Sequence, residues 1–312
     1  MTRLLLIHTG GTISMVPGPK GFEPRAGVAE QLARTIVEED LPEVALEIHA
    51  FDPLIDSASI GPGHWNRLVA LIEESQPAHD GVVITHGTDT LAYTSAALSF
   101  ALQGLDCSVV VTGAMRPITS EGSDAIDNLR SALKAAATGT PGVRVQFAGR
   151  LMAGDRVVKA SSVALDAFRE IPQATPAAAS PLPDGSARRF AEARIAILSL
   201  SPGLTAEALE AMLAPLDGAV LRCYGSGTVP ADPRIRAVLH DRIAQGLTVL
   251  AVSQCEHGGV RPGEYAAAAA LRETGIIDGA ALTAEAAYAK LALMLSEAKE
   301  TPLRELAGAA RC

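Results

Sequence analysis

The chain has few cysteines and no concentrated run of basic residues. Its four cysteines lie far apart in the 312 residues and follow no disulfide or metal-ligand spacing: Cys107, Cys223, Cys255 and Cys312. This distribution favours a reduced, cytoplasmic protein. The formal net charge is −9, from 26 basic and 35 acidic residues, and together with the lack of a Lys/Arg run it argues against a nucleic-acid partner.

Long apolar runs are missing as well. No stretch approaches the length needed to span a bilayer, which argues against a membrane protein. Met1–Leu4 leads directly into a strand pattern, without the charged region, apolar core and cleavage site of a signal peptide. With 48% hydrophobic and 20% charged residues, the composition is typical of a globular protein with one large or two medium domains.

Several common functional motifs do not occur in the chain. There is no G-x-G-x-x-G after the first strand pattern, no phosphate-binding G-x-x-x-x-G-K-[ST] and no G-x-S-x-G nucleophile elbow. His8, His64, His86 and His257 show no metal-ligand spacing, and we expect each to be a solvated or capping side chain. These absences weigh against nucleotide binding and against a histidine metal site.

The chain does contain a regular alternation of strand and helix patterns. The main strand patterns are Leu4–Ile7, Val44–Phe51, Gly81–Thr85, Ser108–Thr112, Arg194–Leu200, Ala219–Cys223 and Leu247–Ser253. Apolar residues at helical spacing lie between them, as at Trp65, Leu68, Val69 and Ile72. This alternation predicts two α/β domains. We expect the larger N-terminal domain to be a doubly wound, mostly parallel sheet, and the smaller C-terminal domain to have a parallel sheet too.

A change of composition between Pro172 and Arg189 marks the expected boundary, because Pro, Ala, Ser and Gly occur there without periodicity. The prediction is an N-terminal domain over residues 1–183, a linker at about 172–193 and a C-terminal domain over residues 194–312. The N-terminal domain would carry most of the active site. In the C-terminal part, Thr283 before Ala284-Glu285 predicts a helix start, and the alanine run 266–270 predicts a closely packed helix.

The first strand pattern ends in the sequence Thr9-Gly10-Gly11-Thr12-Ile13. In open parallel sheets, ligands bind in the crevice outside the carboxyl ends of the strands. Two glycines allow the backbone to turn sharply and to approach a small ligand, and Thr12 would then present its hydroxyl to the crevice. The alternative is a strand-to-loop turn without chemistry.

Two further loops follow buried strand patterns in the same way. His86-Gly87-Thr88-Asp89-Thr90 precedes a helix pattern, so Thr88 or Asp89 either caps that helix or contributes to a ligand site. Asp89 would repel an anion there but could hold an α-ammonium group. The third loop is Thr112-Gly113-Ala114-Met115-Arg116-Pro117. Three such loops in one domain favour a shared crevice.

Lys159 lies in an otherwise apolar, strand-like segment, Arg156–Ala160. A lysine in such a segment either extends to the surface or reaches an acidic partner inside the protein. Paired with Asp89, it could take a proton from a hydroxyl group once burial disfavours its charged form.

This combination of motifs resembles the bacterial L-asparaginases. The matching motifs occur in the family's order across both halves of the chain: Thr9–Ile13, Asp56-Ser57, His86–Thr90, Thr112–Pro117, Lys159, Tyr224–Gly227, Ser253–Cys255 and Ala284–Ala286. The missing leader and the C-terminal motifs are similar to the cytosolic type I branch, whereas Thr112–Pro117 is similar to the type II branch.

The resemblance implies an amidohydrolase that converts L-asparagine to L-aspartate and ammonia without a metal or cofactor. By position, Thr12 matches the nucleophile, while Thr88, Asp89 and Lys159 match a second triad in which the lysine supports proton transfer. Asp89 would also hold the substrate's amino group. The implied active unit is a homodimer, usually within a homotetramer.

The resemblance also implies the residues that bind substrate: Gly11, Ser57, Gly87, Asp89, Ala114 and Glu285. Ser57 matches a residue that binds the α-carboxylate of the substrate. Glu285 matches an acid that reaches into the site of the neighbouring subunit.

Two positions depart from the family pattern. Phe22 stands where the family has a tyrosine that assists the nucleophile from a flexible loop, and a phenyl ring has no hydroxyl group to exchange a proton. Thr228 stands where many members have a substrate-binding asparagine. A glutaminase-asparaginase or another small-amide amidase, and a non-catalytic amino-acid sensor on the same fold, are therefore the alternatives.

Overall fold

A computed structural model of the chain describes residues 1–19, 21–76, 78–106, 108–172, 187–261 and 274–298. These residues form two compact units. The first contains residues 1–170 with 187–188, and the second contains 171–172 with 189–298, as far as the structure describes them. The predicted alanine helix at 266–270 and most of the predicted linker lie outside the described residues. The domain bounds expected from composition stay a prediction.

The first unit is built on a six-stranded sheet. The strands of this unit are β1 (Thr2–Gly10), β2 (Met15–Gly18), β3 (Gly21–Pro24), β4 (Val44–Ile55), β5 (Gly81–Thr85), β6 (Ser108–Thr112), β7 (Gly142–Phe147), β8 (Arg150–Ala153), β9 (Val157–Lys159) and β10 (Phe168–Glu170). The sheet order is β4-β1-β5-β6-β7-β8, with only β8 antiparallel to its neighbour. Two separate antiparallel pairs are β2–β3 and β9–β10.

Helices cover both faces of this sheet. They are α1 (Val28–Asp40), α2 (Pro62–Ser75), α3 (Leu91–Ala101) and α4 (Ala125–Ala137). Residues of α1 and α4 form one core with Leu4 and Leu6 of β1, while the alternating residues Leu5 and Ile7 are also buried. Strands that are buried on both faces have continuous apolar sequences, which is the pattern seen here. The predicted doubly wound, mostly parallel sheet is confirmed.

The strand order places a crevice beside β1. If the five parallel strands of this sheet are numbered from one to five along the chain, their order across the sheet is 2-1-3-4-5. The chain therefore extends the sheet in opposite directions from the two sides of β1. Ligands bind outside the carboxyl ends of the strands at such a switch point. The strands that border it end at Gly10 of β1 and Thr85 of β5, with Thr112 of β6 next along the edge.

The second unit is a smaller α/β domain. Its elements are β11 (Ile195–Ser199), α5 (Ala206–Leu213), β12 (Gly218–Cys223), α6 (Pro233–Ala244), β13 (Thr248–Ser253), β14 (Ile277–Asp278) and α7 (Ala284–Glu297). All four strands pair in parallel in the order β11-β12-β13-β14, as expected. Thr283 caps α7 by accepting a hydrogen bond from the N–H of Ala286 at 3.0 Å, which confirms the predicted helix start.

Among the residues that the structure describes, no helix combines the length and the apolar character that crossing a membrane requires.

Candidate active site

The turn after β1 holds Thr12 at the switch point. Gly11 has a φ of 90°, a backbone conformation that glycine adopts without strain, and a short 3₁₀ helix then runs over Thr12–Ser14. The N–H of Ser14 donates to the carbonyl of Gly11 at 3.2 Å, and the Ile13 side chain is fully buried in the core beside α1. Thr12 is left half-buried, and its hydroxyl makes no hydrogen bond to any described residue.

Glycines bring the loop after β1 against the loops after β4 and β5. A β-carbon on Gly11 would lie 2.5 Å from the Cα and N atoms of Gly87, and one on Gly87 would overlap the Ser57 side chain. The hydroxyl of Thr90 donates to the carbonyl of Ser57 at 2.7 Å, which ties the same loops together. The structure therefore brings three of the predicted site residues, Gly11, Ser57 and Gly87, into contact.

Lys159 reaches the loop after β5 from strand β9. Its Nζ donates to Thr88 Oγ1 at 2.8 Å and to Asp89 Oδ1 at 2.7 Å. The lysine side chain is 21% exposed, whereas the Asp89 side chain is 67% exposed. Of the two alternatives for this lysine, the acidic partner is the one observed. The carboxylate keeps its second oxygen for another donor at the open side of the loop.

Thr88 and Asp89 do not cap the helix that follows them. Helix α3 begins at Leu91 after the N-cap residue Thr90, and no side chain makes a capping hydrogen bond there. The capping alternative is therefore wrong at this loop. The polar side chains of Thr88 and Asp89 turn instead toward Lys159.

A buried histidine sets the shape of the loop after β5. The Trp65 indole N–H donates to Thr94 Oγ1 at 3.1 Å, and Thr94 Oγ1 lies 3.0 Å from Nε2 of His86. Because the carbonyl of Gly87, 2.7 Å from Nδ1, can only accept, we assign the ring proton to Nδ1, and Nε2 accepts from the Thr94 hydroxyl. Burial lowers the pKa of His86 from 6.5 to about 4, so the ring is neutral near pH 7.

The expectation that the histidines are solvated or capping is wrong for two of them. His86 and His8 are both fully buried, and Nδ1 of His8 lies 2.7 Å from Thr85 Oγ1. Burial lowers the pKa of His8 as well, and the nearby Glu30 partly opposes that shift. The expectation holds for His64, which accepts a hydrogen bond from the N–H of Gly61 at the start of α2, and for the exposed His257.

The third loop lies against the second. The N–H of His86 donates to the carbonyl of Thr112 at 2.9 Å, and a β-carbon on Gly113 would overlap the carbonyl oxygen of His86. Ala114 is fully buried and its methyl group packs into the core shared with α1 and α4. Its side chain therefore faces away from solvent, and only its backbone could contact a substrate.

Glu285 lies in the second unit, in the first turn of α7. Burial raises the pKa of its carboxyl group. Hydrogen bonds from its own backbone N–H and from Thr283, and the positive charge of Arg222, partly oppose this rise because they favour the charged carboxylate. Thr228, the second departure from the family pattern, donates its N–H to the carbonyl of Tyr224 at 2.8 Å within a turn. The contribution of Glu285 to a neighbouring subunit stays a prediction.

Phe22 lies on a β-hairpin that follows the Thr12 turn. Strands β2 and β3 pair so that Phe22 is opposite Pro17 and Gly21 is opposite Gly18. The phenyl ring is 52% exposed. The hairpin is joined to the Thr12 turn because the N–H of Arg25 donates to the carbonyl of Ser14 at 3.0 Å.

No cluster of three or more His, Cys, Asp or Glu side chains in the described ranges has an arrangement that could hold a metal ion. Cys223 is a free, buried thiol whose pKa burial raises to about 12, and Cys255 is free and exposed. Cys107 and Cys312 lie outside the described residues.

The sequence motifs predicted Thr12, Thr88, Asp89 and Lys159 as site residues but did not point to the side chains that hold their loops. Thr90, Thr94 and Trp65 make specific hydrogen bonds there. Thr94 and Trp65 lie on helices whose local patterns do not show that these two side chains bond to each other and to a loop. A threonine on a helix face that is otherwise apolar was the one available signal.

Comparison with known families assigns both halves of the chain. The family described as "Asparaginase, N-terminal" matches residues 3–183, and "Glutaminase/Asparaginase C-terminal domain" matches residues 194–304. The chain is 33% identical over 315 residues to L-asparaginase 1 of Escherichia coli K12, covering 96% of this chain and 93% of that protein.

Solved structures agree with this assignment. The thermostable L-asparaginase of Thermococcus kodakarensis superposes with a TM-score of 0.84 at 33% identity, covering 100% of this chain and 97% of that one. L-asparaginase I of Vibrio cholerae superposes with a TM-score of 0.85 at 30% identity and the same coverage of both chains. By sequence over its full length and by fold, the chain belongs to the L-asparaginase family of enzymes.

Proposed function

We propose that this protein hydrolyses L-asparagine to L-aspartate and ammonia through an acyl-enzyme ester on Thr12. The observation that carries the proposal is the contact of Lys159 Nζ with both Thr88 and Asp89, in a loop packed against the Gly11–Thr12 turn. A threonine hydroxyl is a weak nucleophile until a neighbouring group takes its proton, and this cluster supplies polar groups for that step.

Thr12 is the proposed nucleophile because its hydroxyl lies at the switch point without a hydrogen-bond partner among the described residues. Thr12 Oγ would form a bond to the carboxamide carbon while the hydroxyl proton is transferred to a base. The carbon–nitrogen bond then breaks, and the nitrogen leaves as ammonia after gaining that proton. Water adds to the resulting ester, releases aspartate and restores the hydroxyl group.

Thr88, Asp89 and Lys159 are proposed to handle the protons of these steps. Lys159 supports proton transfer at Thr88, with which it already shares a hydrogen bond, and Asp89 keeps the lysine in place. An ammonium group has donors only, so Lys159 accepts a proton only as the neutral amine. Backbone N–H groups of the glycine-bearing loops would stabilise the oxyanion.

A zwitterionic amino acid needs one partner for its ammonium group and others for its carboxylate. Asp89 uses Oδ1 for Lys159 and has Oδ2 left for the ammonium group. Ser57 and nearby loop amides are the proposed carboxylate partners, and Gly11 and Gly87 allow a close approach of the backbone. Ala114 would bind the carboxamide through its backbone.

The remaining parts of the proposal come from the family resemblance. Relatives named L-asparaginase support asparagine as the substrate, and the family name "Glutaminase/Asparaginase" keeps L-glutamine as a second candidate. We further propose a cytoplasmic protein that acts as a homodimer or as a dimer of dimers, with Glu285 reaching the neighbouring subunit's site. The proposal includes no metal and no cofactor.

The test is ammonia release by the purified protein from asparagine, glutamine and other small amides. We expect release from asparagine, and a loss of at least about 10³-fold in kcat for Thr12→Ala and Thr88→Ala. Thr140→Ala is the matched control, because Thr140 is exposed in the turn between α4 and β7, at the opposite edge of the sheet. That variant should keep full activity.

Calorimetry with L-asparagine separates the enzyme from a non-catalytic sensor. A folded protein that binds asparagine without releasing ammonia from any amide would contradict the proposal and favour the sensor. A faster rate on glutamine than on asparagine would keep the mechanism and change the substrate.

A further inference from the structure

Asp124 holds the third loop from the start of helix α4. It immediately precedes the helix and is only 9% exposed. The N–H of Met115 donates to both carboxylate oxygens, at 3.0 and 2.9 Å, and the N–H of Arg116 donates to Oδ1 at 3.0 Å. The carboxylate thus binds two consecutive backbone N–H groups of the loop after β6.

Asn128 completes this attachment from the next turn of the helix. Its Nδ2 donates to the carbonyl of Gly113 at 3.0 Å and to Asp124 Oδ2 at 2.9 Å. Its Oδ1 accepts from the N–H of Ala148 at 2.9 Å, which fixes the orientation of the amide. Both ends of the Asn128 side chain are therefore in use, and the amide cannot rotate without losing bonds.

These bonds fix the orientation of two peptide units. In a trans peptide the C=O and the N–H point in opposite directions. Because the carbonyl of Gly113 points to Asn128, the N–H of Ala114 points the other way. Because the N–H of Met115 points to Asp124, the carbonyl of Ala114 also points away from the helix.

Within the part of the chain that the structure describes, the N–H and C=O of Ala114 are left without a partner. Ala114 is fully buried, and neither group makes a hydrogen bond within the described ranges of the chain. Buried backbone groups without partners are rare in proteins and indicate a ligand or ordered water. They also lie near the catalytic loop, since a β-carbon on Gly113 would be 3.7 Å from Cγ2 of Thr88.

We propose that Asp124 and Asn128 are positioning residues that direct the backbone N–H and C=O of Ala114 at the carboxamide of the substrate. This inference rests on the proposed function. The C=O would accept a hydrogen bond from the carboxamide NH₂, and that hydrogen bond exists only for an amide. The two side chains touch no substrate themselves and act through the loop.

Asp124→Asn tests this role with little change of shape. The carboxylate accepts from three donors, whereas an asparagine presents an NH₂ group to at least one of them. We expect kcat/KM for L-asparagine to fall at least about tenfold, the loss expected for one misaligned hydrogen bond. For the β-methyl ester of L-aspartate, which has no side-chain N–H, the fall should stay below about threefold.

Asp80→Asn is the matched control. Asp80 Oδ2 also accepts a backbone N–H, from Arg3 at 2.7 Å, but it precedes β5 at the amino-terminal edge of the same sheet. This variant should leave the ratio of the amide rate to the ester rate unchanged. Aspartate formation is the common readout for both substrates.

Equal losses on amide and ester, or no loss on either, would overturn the inference and leave the proposed function standing. A wild-type protein that hydrolyses neither substrate would overturn the proposed function and this inference with it. If Asp124→Asn does not fold, Asn128→Ser removes the donor to the Gly113 carbonyl and must show the same preferential loss on the amide.

Discussion

At the scale of single residues, the candidate site has the threonine, aspartate and lysine side chains of the family pattern, but Phe22 stands where that pattern has a tyrosine. Lys159, Thr88 and Asp89 make the short contacts expected of a proton-transfer cluster. Phe22, on the hairpin after Thr12, provides an aromatic ring without a hydroxyl group. The activation of Thr12 is therefore the step at which this chain is expected to differ from its relatives.

Phe22→Tyr should raise the rate of asparagine hydrolysis. The added hydroxyl lies on an exposed ring, so it introduces no buried polar group and should not destabilise the fold. A positioned acid–base group typically contributes about 10²- to 10⁴-fold, and we expect a gain in kcat of at least about tenfold. Steady-state kinetics of the two proteins at one pH would measure it.

Phe22→Leu is the control, because it removes the ring without adding a hydroxyl and should not raise kcat. An unchanged rate in Phe22→Tyr, with asparagine binding intact by calorimetry, would show that another group activates Thr12 in this chain.

His86 makes the stability of the protein depend on pH. Its folded-state pKa of about 4 lies below its unfolded value of 6.5, so the unfolded chain binds more protons between these values. Stability should therefore be complete above about pH 6.5 and fall by about 3 kcal/mol as the pH drops to 4. The lowered pKa of His8 acts in the same direction.

Urea unfolding at intervals from pH 4.5 to 7.5 would measure this slope. His86→Asn should flatten it, whereas His257→Asn at an exposed position should leave it unchanged. If His86→Asn does not fold, NMR titration of the His86 ring in the wild-type protein gives the same information. A ring that becomes charged near pH 6.5 in the folded protein would contradict the prediction.

At the scale of elements, the site depends on how closely the strand ends approach one another. Gly11 and Gly87 allow contact between the turn after β1 and the loop after β5, and neither position has room for a side chain. This contact sets the distance between the proposed nucleophile and the Lys159 cluster. Backbone proximity is as much a part of the site as the polar side chains.

Gly11→Ala should abolish activity by separating these loops. The new β-carbon would lie 2.5 Å from the backbone of Gly87, where neither atom can move without displacing its loop. We expect a fall in kcat/KM of at least about 100-fold, since small misplacements of reacting groups have effects of this size. Ammonia release and thermal unfolding of the purified variant would be measured together.

Gly139→Ala is the control for the backbone strain that Gly11→Ala introduces. Gly139, in the turn after α4, also has a positive φ of 68°, but a β-carbon there meets no atom within 4 Å. It should cost about 1 kcal/mol of stability and leave kcat unchanged. Similar activity losses in the two variants would show that strain, and not the contact between loops, causes the effect.

The elements that could be predicted from sequence are those with a strong local pattern. Continuous apolar runs identified β1, β5 and β6, because strands buried on both faces have no polar alternation. The exposed hairpin β2–β3 and the short pair β9–β10 were not predicted as pairs. Their pairing depends on residues that meet across turns and loops, and a local apolar pattern contains no information about such contacts.

At the scale of the whole molecule, the fold class followed from the alternation of strands and helices. The chain has the two α/β domains expected, the first with a mostly parallel sheet and the second with a parallel sheet. For the candidate site, the sequence predicted the loops that follow the strands, and the structure brings these loops together. The side chains that orient those loops, such as His86 and Asp124, could not be predicted. They act through hydrogen bonds to residues eight or nine positions away, Thr94 and Met115, and their sequence neighbours are compatible with an ordinary turn or helix cap.

The proposed dimer gives the largest-scale prediction, which is that two inactive variants restore activity when mixed. Thr12→Ala and Glu285→Ala alter different units of the chain. If each site combines Thr12 of one subunit with Glu285 of the other, a mixed dimer contains one site with both residues intact. When equal amounts of the two variants are unfolded and refolded together, about half of the dimers should be mixed. About a quarter of all sites should therefore be intact, with activity to match.

Mixing Thr12→Ala with Thr88→Ala is the control that makes this result specific. Both residues belong to the first unit, so every site of every dimer keeps one defect and no activity should return. Activity restored in both mixtures would point to residual wild-type protein. Activity restored in neither, with mixed dimers shown by native mass spectrometry, would mean that each subunit builds its site from its own residues. Activity restored in the first mixture and not in the second would show that Glu285 acts across the subunit interface.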